Sequence, residues 1–269
     1  MSQYFYTTLY DLIARLNNPI SPKLDVIPWS CPILSFGDMT HAKIATVGIN
    51  PSNREFVDAQ GIELAGKERR FHTLKSLGIS NWNNISDIHL ELIIDTCRNY
   101  FNRNPYNSWF KSLNNIISGT KASYYDSINT ACHLDLIPYA TARKWTELSP
   151  GQRSALIDLA GDTLALILKR SSIKLLVLNG KSVVNHLEEI SGENFQKKEI
   201  ENWALPRSSG KNVKGYSYKG SIKEICGIKF QHEIQVLGFN HNIQSSFGVT
   251  NNIKNSIRHW VTRNTKGIF

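Results

Sequence analysis

Four short runs of aliphatic and β-branched residues alternate along the chain with longer segments of helical periodicity. The runs are "KIATVGI" (43–49), "SINTACHLDL" (127–136), "IKLLVLNG" (173–180) and "IQVLGF" (234–239). Each has the length of a buried strand. Strands that alternate with helices are typical of a parallel sheet covered on both faces. We therefore predict an α/β fold with three α/β/α layers and a central, mainly four-stranded parallel sheet.

Helical segments also have clear signals. Apolar residues from Phe5 to Leu16 recur at the spacing of an amphipathic helix. Ser149 and Gln152 have the spacing of a capping box with proline between them, and the apolar pattern then continues to Leu168, which predicts one long helix. Residues 212–233 read as extended or hairpin structure at the edge of the sheet.

Composition indicates one globular domain over residues 1–269. The chain is 41% hydrophobic and 20% charged, and no obvious linker divides it. Its formal charge of +9 favours a polyanionic partner, and nucleic acid is the leading candidate. The alternative is a charge that only keeps the protein in solution.

The four cysteines are scattered and contain no C-x-x-C pair. This argues against a zinc ribbon or an iron–sulfur cluster, and no other clustered ligands suggest a metal or cofactor. We expect reduced thiols, with Cys132 buried, in a cytoplasmic protein that is a monomer. The chain has no apolar run long enough to span a membrane.

Polar residues follow each predicted strand, and ligands of open α/β sheets bind at the carboxyl ends of the strands. We therefore expect these residues to converge at one edge of the sheet. They are Asn50-Pro51-Ser52-Asn53, His133-Leu134-Asp135, Asn179-Gly180-Lys181-Ser182 and Asn240-His241-Asn242.

Three ordered motifs resemble the uracil-DNA glycosylase superfamily: "VGINPS" after the first strand, "NPYNSWFKSL" in the middle and "FNHNIQSSFG" after the last strand. The first is similar to the G-I-N-P-G motif of the mismatch-specific branch and the G-M-N-P-G motif of the single-strand-selective branch. The chain resembles no branch throughout, and it lacks the cysteines of the iron–sulfur branches. The resemblance implies an enzyme that flips a nucleotide out of DNA and hydrolyses its base–sugar bond.

The resemblance implies two catalytic residues. Asn50 takes the place of the residue that positions the attacking water, and His241 matches the histidine that donates to the 2-oxygen of the departing base. The alternatives are that Asn50 is only a turn residue before proline and that His241 is an ordinary loop histidine.

The base-reading positions differ from those of the uracil-specific enzymes. Ser52 stands where a tyrosine blocks the 5-position of the base, so a 5-substituent has room. Asp135 stands where an asparagine reads uracil, and a carboxylate instead accepts from the exocyclic amine of cytosine. Together they point to a 5-substituted cytosine. Alternatively, His133 or another residue reads the base and Asp135 caps a turn.

The remaining candidates would hold the base and the DNA. Trp109 or Tyr106 would stack on the flipped base, unless these aromatics are core. Loop residues 242–248, with Gln244 and Ser245, would enter the DNA, and Phe247 or Ile243 would be the wedge. Phosphates would meet basic residues, or these form only a solvated basic face. The basic candidates are Lys67, Arg69, Arg70, Lys181, Lys211 and Lys214.

The predicted function is that of a monofunctional DNA glycosylase acting on a 5-substituted cytosine, such as glucosylated hydroxymethylcytosine of phage DNA, in anti-phage defence. None of the residues that the resemblance places in the pocket is a lysine, which argues against an additional lyase activity. Alternatives are a uracil or mismatch repair glycosylase, a DNA-binding protein of the same fold without catalysis, and an enzyme of free nucleosides.

Overall fold

The computed structural model describes residues 3–17, 21–103, 107–126, 130–206, 210, 212–244 and 246–268. The helices are α1 (Gln3–Leu16), α2 (Leu74–Leu77), α3 (Asp87–Arg98), α4 (Tyr100–Arg103), α5 (Asn107–Ile117), α6 (Pro150–Ala160), α7 (Thr163–Leu168), α8 (Lys181–Ser191) and α9 (Asn251–Asn264). The strands are β1 (Ile44–Gly48), β2 (Ala131–Asp135), β3 (Leu175–Asn179), β4 (Gln196–Glu199), β5 (Tyr216–Ile225) and β6 (Ile228–Phe239).

The fold is α/β, and its described strands form one mixed sheet of six strands in the order β2-β1-β3-β6-β5-β4. The pairs β1–β2, β1–β3 and β3–β6 are parallel, whereas β4–β5 and β5–β6 are antiparallel. The strands β1, β2 and β3 lie within the first three predicted runs, and the fourth run (234–239) forms the second half of β6; residues 127–129 of the second run lie outside the described residues. The hairpin of β5 and the first half of β6 extends one edge, as predicted for residues 212–233, whereas the exposed strand β4 beyond it was not predicted.

The three strands β1, β2 and β3 are almost completely buried, which explains their continuous apolar sequences. The predicted amphipathic face of α1 is buried as well, with Leu9 and Leu12 fully inaccessible to solvent. Burying a leucine stabilises the folded state by about 1.5–3 kcal/mol. This core holds the carboxyl ends of the parallel strands in fixed positions.

The long helix predicted after Ser149 is wrong, because the structure divides it into α6 and α7. The capping box of Ser149 and Gln152 begins α6 as expected. Between the two helices the chain turns at Gly161 and Asp162, where the Asp162 carboxylate accepts hydrogen bonds of 2.6 and 2.8 Å from Arg15 of α1. The apolar spacing continues across this turn, so periodicity alone does not reveal the break.

Cys31, Cys97 and Cys132 are buried, whereas Cys226 is exposed, and all four are free thiols. Burial raises the pKa of the three buried thiols, which keeps them protonated and unreactive. Among the described residues, no helix combines the length and apolar character that a membrane crossing requires.

Candidate functional site

A cleft of about 490 Å³ opens where the carboxyl ends of β1, β2, β3 and β6 meet. Its lining includes Asn50, Asp135, Asn179 and Asn240, which are residues from each of the four predicted strand ends. The volume lies in the range of about 300–1,000 Å³ that is usual for small-molecule sites. The predicted convergence of polar residues at this edge of the sheet is therefore present in the fold.

Asn50 is oriented by a chain of hydrogen bonds. The Thr141 hydroxyl donates to the carbonyl oxygen of Arg143 (2.7 Å), so toward Asn50 it can only accept. Asn50 Nδ2 donates to this hydroxyl (3.0 Å) and also lies 3.4 Å from the carbonyl oxygen of Tyr139. These acceptors hold the nitrogen, and none of the described residues donates to Oδ1 of Asn50. The free carbonyl end of the amide can therefore orient a water molecule in the cleft.

Asp135 is the second polar side chain in the cleft with hydrogen-bond acceptors that the described residues leave unused. Its carboxylate is buried, and the contact that the structure gives it is His133 Nε2, 3.5 Å from Oδ1. None of the described backbone N–H groups donates to it, so it does not cap a turn. His133 is itself fixed, because its Nδ1 bonds Thr46 Oγ1 (2.7 Å), which in turn bonds the Tyr124 hydroxyl. His133 contacts Asp135 and lines the cleft beside it, so Asp135 remains available to a ligand and His133 stays an alternative reader of the base.

Gly48, at the end of β1, makes room for this carboxylate. A Cβ atom at position 48 would lie 2.3 Å from Oδ1 of Asp135 and 3.1 Å from Nε2 of His133. Gly48 pairs with Asp135 across the parallel strands β1 and β2, which explains the close approach. The glycine of the first motif is therefore required by the position of Asp135.

Glu55 also lines the cleft, and the sequence analysis missed it. It is 3% exposed and ends a short 3-10 turn, Asn53–Glu55, directly after the Asn50 loop. Its Oε2 accepts a hydrogen bond from the Tyr100 hydroxyl (3.0 Å), and Oε1 lies 3.9 Å from Arg70 Nη1. Burial raises the pKa of Glu55 to about 7; Arg70 and Tyr100 oppose this rise, and Asp135 adds to it.

Aromatic side chains form part of the cleft wall. Trp109 is half-buried and lines the cleft, with its ring edge-on to His133 at a centroid distance of 5.5 Å. Phe110 beside it is buried, so Trp109 offers the more accessible surface. Trp145 is a second half-buried tryptophan of the lining, and it was not predicted. Tyr106 lies outside the described residues.

The loop after β6 is attached to the protein around the cleft. Asn179 donates to Gln244 Oε1 (2.7 Å) and accepts from the backbone N–H of Ile243 (3.0 Å), while Gln244 Nε2 lies 3.5 Å from the carbonyl oxygen of Trp109. Ile243 is 4% exposed, which excludes it as a wedge in this conformation, whereas Phe247 is 77% exposed. Ser245 lies outside the described residues.

His241 is placed differently from the expected donor. It is 2% exposed and does not line the cleft. Its Nε2 lies 2.7 Å from the carbonyl oxygen of Trp203. A carbonyl oxygen only accepts, so Nε2 carries the proton and donates it to the protein. Donation to a base from this nitrogen would first require breaking that bond.

The cations fall into two groups. Lys181 is exposed at the cleft, where α8 begins, and the amino-terminal end of a helix favours a phosphate group. Arg70 instead donates to the carbonyl oxygen of Arg54 (2.9 Å) and faces Glu55, so the structure uses it inside the protein. Arg69 is half-buried beside it and does not line the cleft. Its role in DNA contact stays a prediction.

Residues Arg143 and Lys144 are exposed on the cleft beside Trp145, and the sequence analysis missed this basic and aromatic segment. The adjacent residues Arg143-Lys144-Trp145 were its only signal in the sequence.

Ser52 is also exposed at the cleft, where its hydroxyl accepts a hydrogen bond from the backbone N–H of Arg54 (3.2 Å). The small side chain of Ser52 and the basic side chains of Arg143 and Lys144 thus lie on the same rim of the cleft.

Within the described residues, no group of three or more His, Cys, Asp or Glu side chains is placed to hold a metal ion. No family model matches the sequence, and a search of curated proteins finds no significant match.

Proposed function

We propose that the protein is a monofunctional DNA glycosylase with the three-layer architecture of the uracil-DNA glycosylase superfamily. In this proposal the cleft receives a nucleotide flipped from DNA, and the protein hydrolyses the bond between base and sugar. The position of the first and last motifs after the parallel strands β1 and β6, at one shared cleft, supports this proposal.

The observation that carries the proposal is a pair of hydrogen-bond acceptors in the cleft, Oδ1 of Asn50 and the carboxylate of Asp135. Both side chains line the cleft, and none of the described residues donates a hydrogen bond to Oδ1 of the half-buried Asn50 or to the Asp135 carboxylate, so water and a ligand can complete these contacts. Asn50 holds the water that attacks the sugar carbon. Asparagine is a poor base, but a sugar that already carries positive charge in the transition state needs only a positioned water.

The proposed substrate is a cytosine with a 5-substituent. Asp135 accepts from the exocyclic amine, which uracil and thymine lack. Ser52 at the cleft rim leaves space that a larger side chain would fill, and Trp109 provides an aromatic surface for stacking. Modified cytosines of this kind occur in phage genomes, so a role in anti-phage defence follows from the substrate.

The DNA itself would lie across the rim of the cleft. Lys181, Arg143 and Lys144 are exposed there and would contact phosphates, because phosphate contacts position a protein on DNA. Phe247 would occupy the space that the flipped base leaves, as apolar wedges do in other DNA complexes. Its 77% exposure is unusual for a large apolar side chain.

The test is the variant Asn50→Ala, with Asn255→Ala on the exposed face of α9 as matched control. Both are compared with the wild type for base release and for DNA affinity. The proposal expects Asn50→Ala to lose base release by about a hundredfold or more with nearly unchanged affinity, and Asn255→Ala to behave as the wild type. Equal base release by all three proteins would contradict it.

One observation favours a second candidate, a DNA-binding protein of the same fold without catalysis. His241 donates to the Trp203 carbonyl rather than into the cleft, and the first motif has asparagine instead of a carboxylate. This candidate expects tight, salt-sensitive DNA binding and no base release from any substrate.

A further inference from the structure

We propose that Glu55 and Asp135 together read the edge of a cytosine ring, and that Glu55 is the acid that protonates the ring as the base leaves. This inference rests on the proposed function and assigns a catalytic role to a residue outside the three motifs. Glu55 would also act as a proton donor to the departing base, a role for which His241 is not placed in the cleft.

The geometry places Glu55 at the site of reaction. It lines the same cleft as Asn50 and Asp135, and it follows Asn50 by five positions on one short loop. The Tyr100 hydroxyl donates to its Oε2 (3.0 Å), and Arg70 Nη1 lies 3.9 Å from its Oε1. The charged and titratable groups that act on it are Arg70, Tyr100 and Asp135, and only Asp135 shares the cleft lining with it.

Glu55 keeps its proton to a higher pH than an ordinary glutamate. Burial, and to a smaller extent the charge of Asp135, raises the pKa of Glu55, whereas Arg70 and Tyr100 lower it. Two carboxylates in one low-dielectric cleft disfavour double ionisation. At a pH below about 7, Glu55 is therefore mostly a carboxylic acid, which can donate a hydrogen bond.

This donor–acceptor pattern matches cytosine and opposes uracil. The exocyclic amine of cytosine donates, and its ring N3 accepts. The Asp135 carboxylate can accept from the amine, and the protonated Glu55 can donate to N3. Uracil has a carbonyl oxygen and an N–H at these two positions, so both contacts would become repulsive or empty. The pair therefore selects cytosine by its protonation state.

The proposed step balances without a further reactant. The C1′–N1 bond breaks with its electron pair moving to the base, and the Glu55 proton moves to N3, so the base leaves as a neutral tautomer. The water held by Asn50 adds its oxygen to C1′, and the proton that it releases restores the Glu55 carboxyl group. The products are a free cytosine and an abasic sugar with a 1′-hydroxyl group.

Binding to uncleavable DNA tests the reading of the base. The probe is a duplex with one 2′-fluorinated cytidine, which resists hydrolysis, and the matched duplex contains 2′-fluorinated uridine. Because the pKa of Glu55 is about 7, the competent fraction falls between about pH 6 and about pH 8, and wild-type affinity for the cytidine duplex should fall about tenfold relative to the uridine duplex.

Two variants identify the group that titrates. Glu55→Gln keeps a hydrogen-bond donor at every pH. Its affinity for the cytidine duplex relative to the uridine duplex should therefore change less than about twofold over the same pH interval. Tyr100→Phe removes a hydrogen bond that favours the ionised carboxylate, so the fall should move to higher pH. A relative pH dependence that is the same in wild type and Glu55→Gln would overturn the inference.

Base release separates this inference from the proposed function. If Glu55 is the acid, Glu55→Gln should release cytosine about 10²–10⁴-fold more slowly than the wild type, and the decline of wild-type activity with rising pH should disappear. Base release that Glu55→Gln leaves unchanged would overturn the inference and keep the glycosylase. No base release by the wild type would overturn the proposed catalysis, while the binding data would still decide the reading of cytosine.

Discussion

The replacement of Glu55 by glutamine should stabilise the protein at alkaline pH and have little effect at acid pH. In the folded protein, burial raises the pKa of this carboxyl group from 4.5 to about 7. A raised carboxyl pKa means that the contribution of the group to stability is fully present below pH 4.5 and is lost as the pH rises to about 7. Glutamine does not ionise, so it avoids this loss.

The magnitude follows from the difference between the two pKa values. A difference of one pKa unit corresponds to about 1.4 kcal/mol, so the shift from 4.5 to about 7 corresponds to about 3 kcal/mol of unfolding free energy above neutrality. Gln keeps an oxygen that can accept the Tyr100 hydrogen bond, which preserves the local packing.

The assay is urea unfolding of wild type and Glu55→Gln at about pH 5 and about pH 8, with equal slopes required for comparison. The stabilisation should be within about 1 kcal/mol of zero at the lower pH and reach about 3 kcal/mol at the higher pH. Glu68→Gln, an exposed glutamate of the following segment, is the control and should change stability by less than about 0.5 kcal/mol. An equal effect of Glu55→Gln at both pH values would contradict the raised pKa of Glu55.

Three further substitutions test the site. Thr141→Val removes the acceptor that orients Asn50, so base release should fall about tenfold with unchanged DNA affinity. Thr141→Ser keeps the hydroxyl and should restore base release. Equal loss in both variants would show that the hydroxyl is not responsible. Phe247→Ala should lower base release from duplex DNA more than from single strands, whereas Tyr10→Ala, at another exposed aromatic, should change neither. An equal loss on both substrates would contradict a wedge. Lys181→Ala should reduce the salt dependence of DNA binding by about one phosphate contact, as measured by titration over a salt series; an unchanged slope would remove this lysine from the interface.

The sheet was largely predictable because its strands are buried. A strand covered on both faces shows a continuous apolar run, and the end of each run marks the edge where Asn50, Asp135 and Asn179 meet. The exposed strand β4, with the sequence "QKKE", has no such signal, since solvent on its side chains permits any polar residue. Its place in the sheet comes from pairing with β5.

The missed residues act through contacts that are distant in the sequence. Glu55 reads as an ordinary charged residue of a turn until folding brings Arg70 and Tyr100 to it. The orientation of His241 depends likewise on the carbonyl of Trp203, 38 positions away. Local patterns report burial and turns, whereas donor and acceptor partners and the resulting pKa values depend on the tertiary structure.

We propose that this cleft removes a modified cytosine from DNA, and identification of the released base tests that proposal. Wild-type protein is incubated with duplexes that carry cytosine, 5-hydroxymethylcytosine, its glucosylated form, uracil or thymine, and mass spectrometry identifies any free base. The account predicts release of a 5-substituted cytosine together with alkali-labile abasic sites in the DNA. Release of uracil alone would contradict the roles of Asp135 and Ser52, and release of no base from duplex or single strand would contradict the glycosylase itself.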